Sequence, residues 1–309
     1  MLYDSIIIGA GPAGLTASIY ASRYGLKNLV ISVSPGGTAS NAYLVENYPG
    51  CPPMTGNELM KKFLDQAKEY QAKIIYAEVT HIKKYKGIFE IKTKQNKTFK
   101  AKTVILALGK RHRTLSVPGE KEFLGRGVSY CFTCDGPFFR NKTVAVVGGG
   151  DSAMTSSLFL AKISKKVYLI HQKNKFDGQA AWQKKINQEK KIVKILNRQV
   201  KEIRGNKFVE DIVLDKPYQN RKDLKIDGLF IEIGSVPSGE KIIFDFPLKL
   251  KKVSLNYIIV GYSMETNVPG LFAAGDVTAP PGKLRQIITA AAEGAVAADG
   301  VQNFLTKKR

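Results

Sequence analysis

Short β-rich apolar runs recur along the chain, at Ser5–Ile8, Asn28–Val33, Thr103–Leu108, Thr143–Val147, Lys166–Ile170, Gly228–Ile233, Tyr257–Val260 and Leu271–Ala274. Helix-like stretches lie between several of them, at Pro12–Tyr24, Gly56–Tyr70, Ser152–Lys162 and Arg285–Phe304. Strand–helix alternation of this kind predicts an α/β architecture with parallel sheets. A glycine-rich turn follows a buried strand and opens a helix twice, at 9–14 and 148–153, 139 residues apart. The chain thus contains one supersecondary unit in two copies. Segments rich in Gly, Pro and Ser near Arg111–Gly119 and Gly234–Glu240 mark expected crossings between domains. Residues 1–111 with 241–309 are expected to form one domain, and 112–240 a second domain inserted into it.

The two turns carry the first candidate chemistry. Gly9-Ala10-Gly11-Pro12-Ala13-Gly14 fits G-x-G-x-x-G between strand and helix. The first glycine allows the tight turn, the second admits a pyrophosphate to the backbone, and the third lets helix pack on strand. The helix N-terminus adds free N–H groups and a field that favours phosphate. Gly148-Gly149-Gly150-Asp151-Ser152-Ala153 is the second copy, in the G-x-G-x-x-A form. Two Rossmann-like, three-layer nucleotide-binding domains are the expected fold. Leu271-Phe272-Ala273-Ala274-Gly275-Asp276 is a strand ending in Gly-Asp, which can set backbone N–H groups and a carboxylate against a flavin's ribityl chain and phosphate. A helix or turn cap is the competing, lesser reading of Asp276. An acid commonly binds the adenosine ribose at the end of the second strand. Counting 18 residues past each motif gives Ser32 and His171, neither of them acidic. Gln172 and Lys173 follow His171, so a single lysine could meet a 2′-phosphate there, without an arginine fork.

Composition bounds the remaining classes. The chain has 309 residues, long enough for two domains with their own cores. Three cysteines are too few for a disulfide-built secreted scaffold, and no apolar run approaches the roughly 20 residues that span a bilayer. The first apolar stretch runs directly into Gly9, so no signal peptide is read, and a cytoplasmic location is expected. The net charge of +22 raises a nucleic-acid partner. Its distribution argues otherwise: residues 112–240 carry +9 and the rest +13, and 38 of the 48 cations are lysine. Base and phosphate recognition favours arginine. A solvated lysine-rich surface is the simpler reading, with no membrane or nucleic-acid partner expected.

Cys131-Phe132-Thr133-Cys134-Asp135 is a C-x-x-C followed by an acid, nine residues before the strand of the second unit. Two thiols at this spacing can close a disulfide and reopen it by exchange. One thiolate can attack an external disulfide while the other passes electrons to and from an internal donor. Asp135 stands where it can give or take the accompanying proton. A buried structural pair and a zinc site are the competing readings. Zinc needs two further ligands, and only Cys51 and three scattered histidines remain, so no metal is expected.

Two nucleotide turns flanking a C-x-x-C-D, in this order and at this length, resemble the low-molecular-weight thioredoxin reductase family, over nearly the whole chain. The likeness is carried by Ile8–Gly14, by Val45-Glu46-Asn47-Tyr48-Pro49-Gly50 and by Gly127–Gly136. It continues in Val146–Ala153, Met264–Gly270, Gly275-Asp276-Val277 and Leu284-Arg285-Gln286. The resemblance implies a homodimer with FAD in the first domain and NADPH or NADH in the second. Electrons would pass through FAD to a Cys131–Cys134 disulfide and on to a thioredoxin-like dithiol protein. Cys134 would face the flavin, Cys131 would attack the partner, and Asp135 would serve as acid and base. FAD contacts would come from Gly9, Gly11, Pro12, Ala13, Gly14, Gly36, Gly37, Asn47, Val79, Ala107, Gly109, Gly275, Asp276, Arg285 and Gln286. The nicotinamide nucleotide would meet Gly148, Gly150, Asp151, Ser152, Ala153, His171, Gln172 and Lys173. Such enzymes rotate one domain against the other.

The departures fall mainly in the second domain. The family's H-R-R-x-x-x-R, which holds a 2′-phosphate, reads His171-Gln172-Lys173-Asn174-Lys175-Phe176-Asp177. Only Lys173, with Lys175, remains as a cation, and Asp177 would repel phosphate. Thr155 and Ser156 replace two common carboxylates. The first domain departs less, reading Gly36-Gly37-Thr38 for Gly-Gly-Gln and Ala107-Leu108-Gly109 for A-T-G. Two further readings stay open. A flavin-dependent dithiol oxidase would use oxygen and need no intact nicotinamide site. A flavin-bound redox sensor or nucleic-acid-associated protein would account for the charge.

Overall fold

Ile6, Ile7 and Ile8 are each at most 3% exposed, so the strand Leu2–Ala10 is buried on both faces. Such burial requires a sheet covered by packed layers on both sides, the usual setting of parallel strands. In this computed structural model, residues 1–42, 45, 47–253, 256–279 and 283–307 are described. The chain divides into two compact units, 1–111 with 236–309, and 112–235.

In the first unit Leu2–Ala10 pairs in parallel with Asn28–Pro35 on one side and Thr98–Leu106 on the other. Asn28–Pro35 continues to Lys73–Tyr76, also in parallel. Thr98–Leu106 shares its far edge between two strands, antiparallel Ile88–Thr93 at its start and parallel Leu271–Ala273 at its end. Val79–Tyr85 pairs antiparallel with Ile88–Thr93 and in parallel with Ile243–Asp245. Ile7 and Ala107 face a core shared with the helices Pro12–Arg23, Gly56–Glu69 and Ile287–Thr306. Ile6, Ile8 and Leu106 face a second core with Val79, Phe89 and Leu271. The helices Pro12–Arg23 and Ile287–Thr306 meet where Gly294 lies on Ala13, and a side chain at Gly294 would strike the Ala13 carbonyl. Thr55 starts Gly56–Glu69 with a reciprocal cap: Glu58 N donates to Thr55 Oγ1 at 3.2 Å, and Thr55 N to Glu58 Oε2 at 2.8 Å.

The second unit repeats the plan. Its parallel sheet runs Ile192–Leu196, Lys166–His171, Thr143–Val147, Gly228–Ile231 and Val128–Ser129. The helix Asp151–Ile163 covers one face through Ala153, Met154 and Leu160. A three-stranded antiparallel sheet, Val200–Gly205, Val209–Tyr218 and Arg221–Lys225, closes the other core. The expected parallel α/β organisation is thus present in both units.

Several expected elements differ. Tyr257–Val260 is not a strand: Tyr257 and Ile259 make single backbone hydrogen bonds, and only Ile258 forms bridge pairs, isolated ones to Lys252 and Thr278, so no ladder develops. The last helix begins at Ile287 rather than Arg285, since Gln286 is its cap and is extended. The hairpin Val79–Thr93, the antiparallel sheet of the second unit and the helix Ala180–Gln188 were not expected. Glu46, part of one quoted motif, lies outside the described residues.

Candidate functional site

The first glycine turn is enforced by close packing. Gly9 has φ +112°, and any side chain on it would meet the Ala107 carbonyl. A side chain on Gly14 would meet the carbonyl of Gly9. Gly11 is different: a methyl there would have no neighbour nearer than the Gly36 carbonyl, at 3.9 Å. The helix Pro12–Arg23 starts with proline in its first turn, without an acidic residue or a side-chain cap. Its N-terminal field is left for an anion. Gly36 N donates to the Ala10 carbonyl at 2.7 Å, and a methyl on Gly37 would lie 3.3 Å from Gly11 Cα. Gly9, Gly11, Pro12, Ala13, Gly14, Gly36, Gly37 and Ala107 therefore surround one turn whose shape fits a dinucleotide pyrophosphate.

The other expected residues of this unit gather in smaller groups. Asp276 Oδ2 lies 3.4 Å from Lys110 Nζ, just beyond Gly109, and both side chains are mostly buried. Gly275 is held on both sides. Its N–H donates to Glu293 Oε2 at 2.8 Å, and its carbonyl accepts from Lys283 Nζ at 2.8 Å. Lys283 also donates to Thr278 Oγ1 and Glu293 Oε2, both at 2.6 Å, leaving its side chain 7% exposed. Asn47 Nδ2 donates to Gln286 Oε1 at 3.0 Å, joining residues 239 apart in sequence. Arg285 lies over the Tyr257 ring at 4.5 Å, and its Nε is buried without a hydrogen-bond partner among the described residues. Val79 stands apart: it pairs with Thr93 and belongs to the core on the opposite sheet face from Ala107. Lys110, Lys283 and Glu293 were not found from the sequence, where no motif marks them.

In the second unit Cys131 and Cys134 form a disulfide, with Cα atoms 5.2 Å apart. Cys131 caps the short helix Phe132–Asp135: Cys134 N donates to Cys131 Sγ at 3.3 Å, and Thr133 Oγ1 lies 3.4 Å from the same sulfur. The backbone before it is fixed by Ser129, whose Oγ accepts from Cys131 N at 2.9 Å. Cys134 is 8% exposed, whereas Cys131 is only partly buried. The dithiol turn rests on the helix that carries the second glycine motif. Phe132 meets Phe159 edge-on at 5.4 Å, and a methyl on Gly136 would lie 3.2 Å from both Leu160 and Phe159. Asp135 follows on this turn, its N–H donating to the Cys131 carbonyl at 3.0 Å. Cys51 is a free thiol, packed beside the first core. Among the described residues no group of three or more His, Cys, Asp and Glu is arranged to hold a metal.

The second glycine turn is already engaged by its own protein. Asp151, in the first turn of the helix, accepts from Gln179 N at 2.7 Å and Gln179 Nε2 at 2.8 Å. Thr155 and Ser156 hydroxyls donate back to helix carbonyls, at Asp151 and Ser152. Lys173, the cation expected to meet a phosphate, donates to Asp177 at 2.8 Å. That hydrogen bond and the Lys173 charge hold the Asp177 carboxyl below its ordinary value. His171 is buried, and burial lowers its pKa below the usual imidazole value, leaving it neutral at pH 7. Gln172 is exposed.

These features match a known pattern. The family description "Pyridine nucleotide-disulphide oxidoreductase" matches residues 3–294. A thioredoxin reductase of Treponema pallidum is 42% identical over 306 residues, 98% of this chain and 97% of that protein. One from Listeria innocua is 40% identical over 307 residues, covering 98% and 94%. The crystal structure of Lactococcus lactis thioredoxin reductase superposes with a TM-score of 0.78 at 36% identity, covering 99% of both chains. FAD and a pyridine nucleotide are the cofactors of this family, and both units have the Rossmann-like plan that holds them. The chain therefore belongs to the pyridine nucleotide-disulphide oxidoreductase family and is an FAD-dependent disulfide reductase of the thioredoxin reductase type.

Proposed function

We propose that the protein takes electrons from a nicotinamide nucleotide in its second unit and delivers them, through Cys131 and Cys134, to the disulfide of a thioredoxin-like protein. The observation that carries this reading is the Cys131–Cys134 disulfide, mounted on the helix that opens at the second glycine turn. The turn at Gly9–Gly14 with Asn47, Asp276, Arg285 and Gln286 would hold FAD, which would supply two-electron storage between nucleotide and dithiol. Gly148, Gly150, Asp151, Ser152 and Ala153 cradle the nucleotide at the second turn.

The exchange steps belong to the chain. Once the disulfide is reduced, the Cys131 thiolate attacks one sulfur of the partner disulfide. A Cys131–partner bond forms, the partner S–S bond breaks, and one partner thiolate leaves. The Cys134 thiolate then attacks Cys131 Sγ, restoring the internal disulfide and releasing the second partner thiolate. Asp135 gives one leaving thiolate its proton and recovers that proton when the dithiol is next reduced, and the other thiolate is protonated from solvent. The roles follow exposure: Cys131 is the more exposed residue and Cys134 the buried one. The Cys134 N–H and the Thr133 hydroxyl stabilise charge on Cys131 Sγ.

Family likeness supports a homodimer and a cytoplasmic location. No helix among the described residues is long and apolar enough to cross a membrane. The test is anaerobic. A nicotinamide nucleotide should bleach the flavin, and oxidised thioredoxin should restore its colour in equal measure. A flavin that stays bleached after thioredoxin is added contradicts the reading.

A further inference from the structure

The loop after the strand Lys166–His171 folds back onto the second glycine turn. Asp177 N and Gly178 N both donate to the Gly149 carbonyl, at 2.8 and 3.1 Å. With the two bonds from Gln179 to Asp151, four hydrogen bonds fix the loop to the turn. The His171 ring covers Gly149 so closely that a side chain there would strike three of its ring atoms. Phe176 stacks on that ring at 5.8 Å.

The loop brings an acid to the place where counting along the chain finds none. The end of the second strand is where a dinucleotide's adenosine ribose is read, and that residue is His171. Asp177 Oδ2 returns to within 3.6 Å of His171 Nε2. The His171 side chain is 8% exposed, and its Nε2 has no hydrogen-bond partner among the described residues. A buried polar nitrogen left without a partner points to a group that a ligand supplies. The Asp177 carboxylate is 47% exposed, open to a ligand on its free side.

The charges here suit a diol better than a phosphate. Two lysines lie near: Lys173 is already bonded to Asp177, and Lys175 acts on the same carboxylate through its charge. A 2′-phosphate would have to take Lys173 from that carboxylate and then sit beside it, two like charges in contact. A free 2′-hydroxyl can donate to Asp177 with the Lys173 pair intact, and the adjoining 3′-hydroxyl can serve His171 Nε2. Neither contact adds charge to the site.

We propose that Asp177 reads the adenosine ribose as a free 2′,3′-diol, so that the second unit takes NAD(H) in preference to NADP(H). This rests on the reading that the second unit holds the nicotinamide nucleotide. Asp177 is then a specificity-determining residue contributed by a loop.

The oxidised FAD-loaded protein is titrated calorimetrically with NAD⁺ and with NADP⁺, in the native form and in Asp177→Asn and Asp177→Arg. In the native protein NAD⁺ should bind at least about tenfold more tightly, the worth of one good polar contact set against a repelled charge. Asp177→Asn should narrow that ratio by weakening NAD⁺, and Asp177→Arg should reverse it by strengthening NADP⁺. Equal or tighter NADP⁺ binding by the native protein overturns the proposal. So does a ratio unchanged in both variants. A parallel experiment without nicotinamide equilibrates the flavin with reduced thioredoxin and follows its absorbance. If thioredoxin reduces the flavin but neither nucleotide binds, the proposal is overturned while the dithiol chemistry stands. If NAD⁺ binds as expected but thioredoxin leaves the flavin oxidised, the disulfide reductase reading fails and the assignment of Asp177 is supported.

Discussion

The Tyr130 hydroxyl donates a 2.6 Å hydrogen bond to Glu120 Oε1, immediately before Cys131 in the chain. Glu120 is 3% exposed, and it also accepts from Leu115 N at 2.8 Å and Ser116 N at 2.6 Å. Burial and the neighbouring carboxylate drive the Tyr130 phenol far above its ordinary pKa, so it remains a donor throughout the working range. One buried carboxylate thus ties the entry of the second unit to the backbone that presents the dithiol. Tyr130→Phe should cost about 1.5 to 3 kcal/mol, the worth of a hydrogen bond to a charged group. Glu120→Ala should cost more, because it strands three donors. Denaturant titration of the two variants checks this order, and equal losses would contradict it.

Gly14 has no tolerance for a side chain, since the obstacle is the backbone carbonyl of Gly9 rather than a movable group. Gly14→Ala should separate helix from strand at the turn proposed for the pyrophosphate. The expected protein is depleted of FAD by at least about tenfold, equivalent to roughly 1.4 kcal/mol of binding. Gly25→Ala is the comparison: its φ of +70° makes alanine strained there, but it has open space around it and lies past the helix end, so it should cost stability without lowering FAD content. Flavin absorbance per mole of purified protein distinguishes the two.

The Lys283–Glu293 pair is nearly enclosed, at 7% and 19% side-chain exposure. Removing one partner of such a pair leaves an uncompensated charge, a loss of about 3–5 kcal/mol. Lys283→Met should therefore destabilise the first unit and loosen the Gly275-Asp276 turn. The double variant Lys283→Met with Glu293→Gln should recover part of the loss. Thermal melts with and without added FAD measure both effects.

His171 gives a pH dependence of defined sign. Its pKa is lowered by burial from 6.5, so the unfolded chain binds the proton more readily than the folded one. Stability attributable to the neutral ring is fully present above about pH 6.5 and is lost as pH falls toward the lowered folded value. The melting temperature of the native protein should fall more steeply than that of His171→Gln between pH 7 and 5. Parallel slopes would remove His171 as the source.

The sequence was most informative where packing leaves no choice. Gly9 and Gly14 are dictated by backbone contact, so the first turn was readable from spacing alone. The same holds for the C-x-x-C, whose spacing fits a single turn of helix. The antiparallel strands of the second unit were not found, because Val200–Gly205 and Arg221–Lys225 are mixed with charge and expose most of one face. Tyr257–Val260 misled in the opposite direction, being apolar while only Ile258 forms bridge pairs. Asp177 shows the deeper limit. Its place at the end of the H-R-R-x-x-x-R pattern marks it as hostile to phosphate, but its 3.6 Å approach to His171 comes only from the fold of the loop. Lys110 likewise acquires its meaning from Asp276, 166 positions further along the chain.

Trapping the exchange intermediate tests the account most directly. Cys134→Ser and Cys131→Ser, each with Cys51 also replaced by serine, are reduced and then mixed with oxidised thioredoxin. The products are read by intact mass under non-reducing conditions. The Cys134→Ser protein should accumulate a one-to-one mixed disulfide through Cys131, because no second thiol is present to release it. The Cys131→Ser protein should form little or none, its remaining cysteine being the buried one. An adduct confined to Cys131→Ser, or absent from both, would contradict the account.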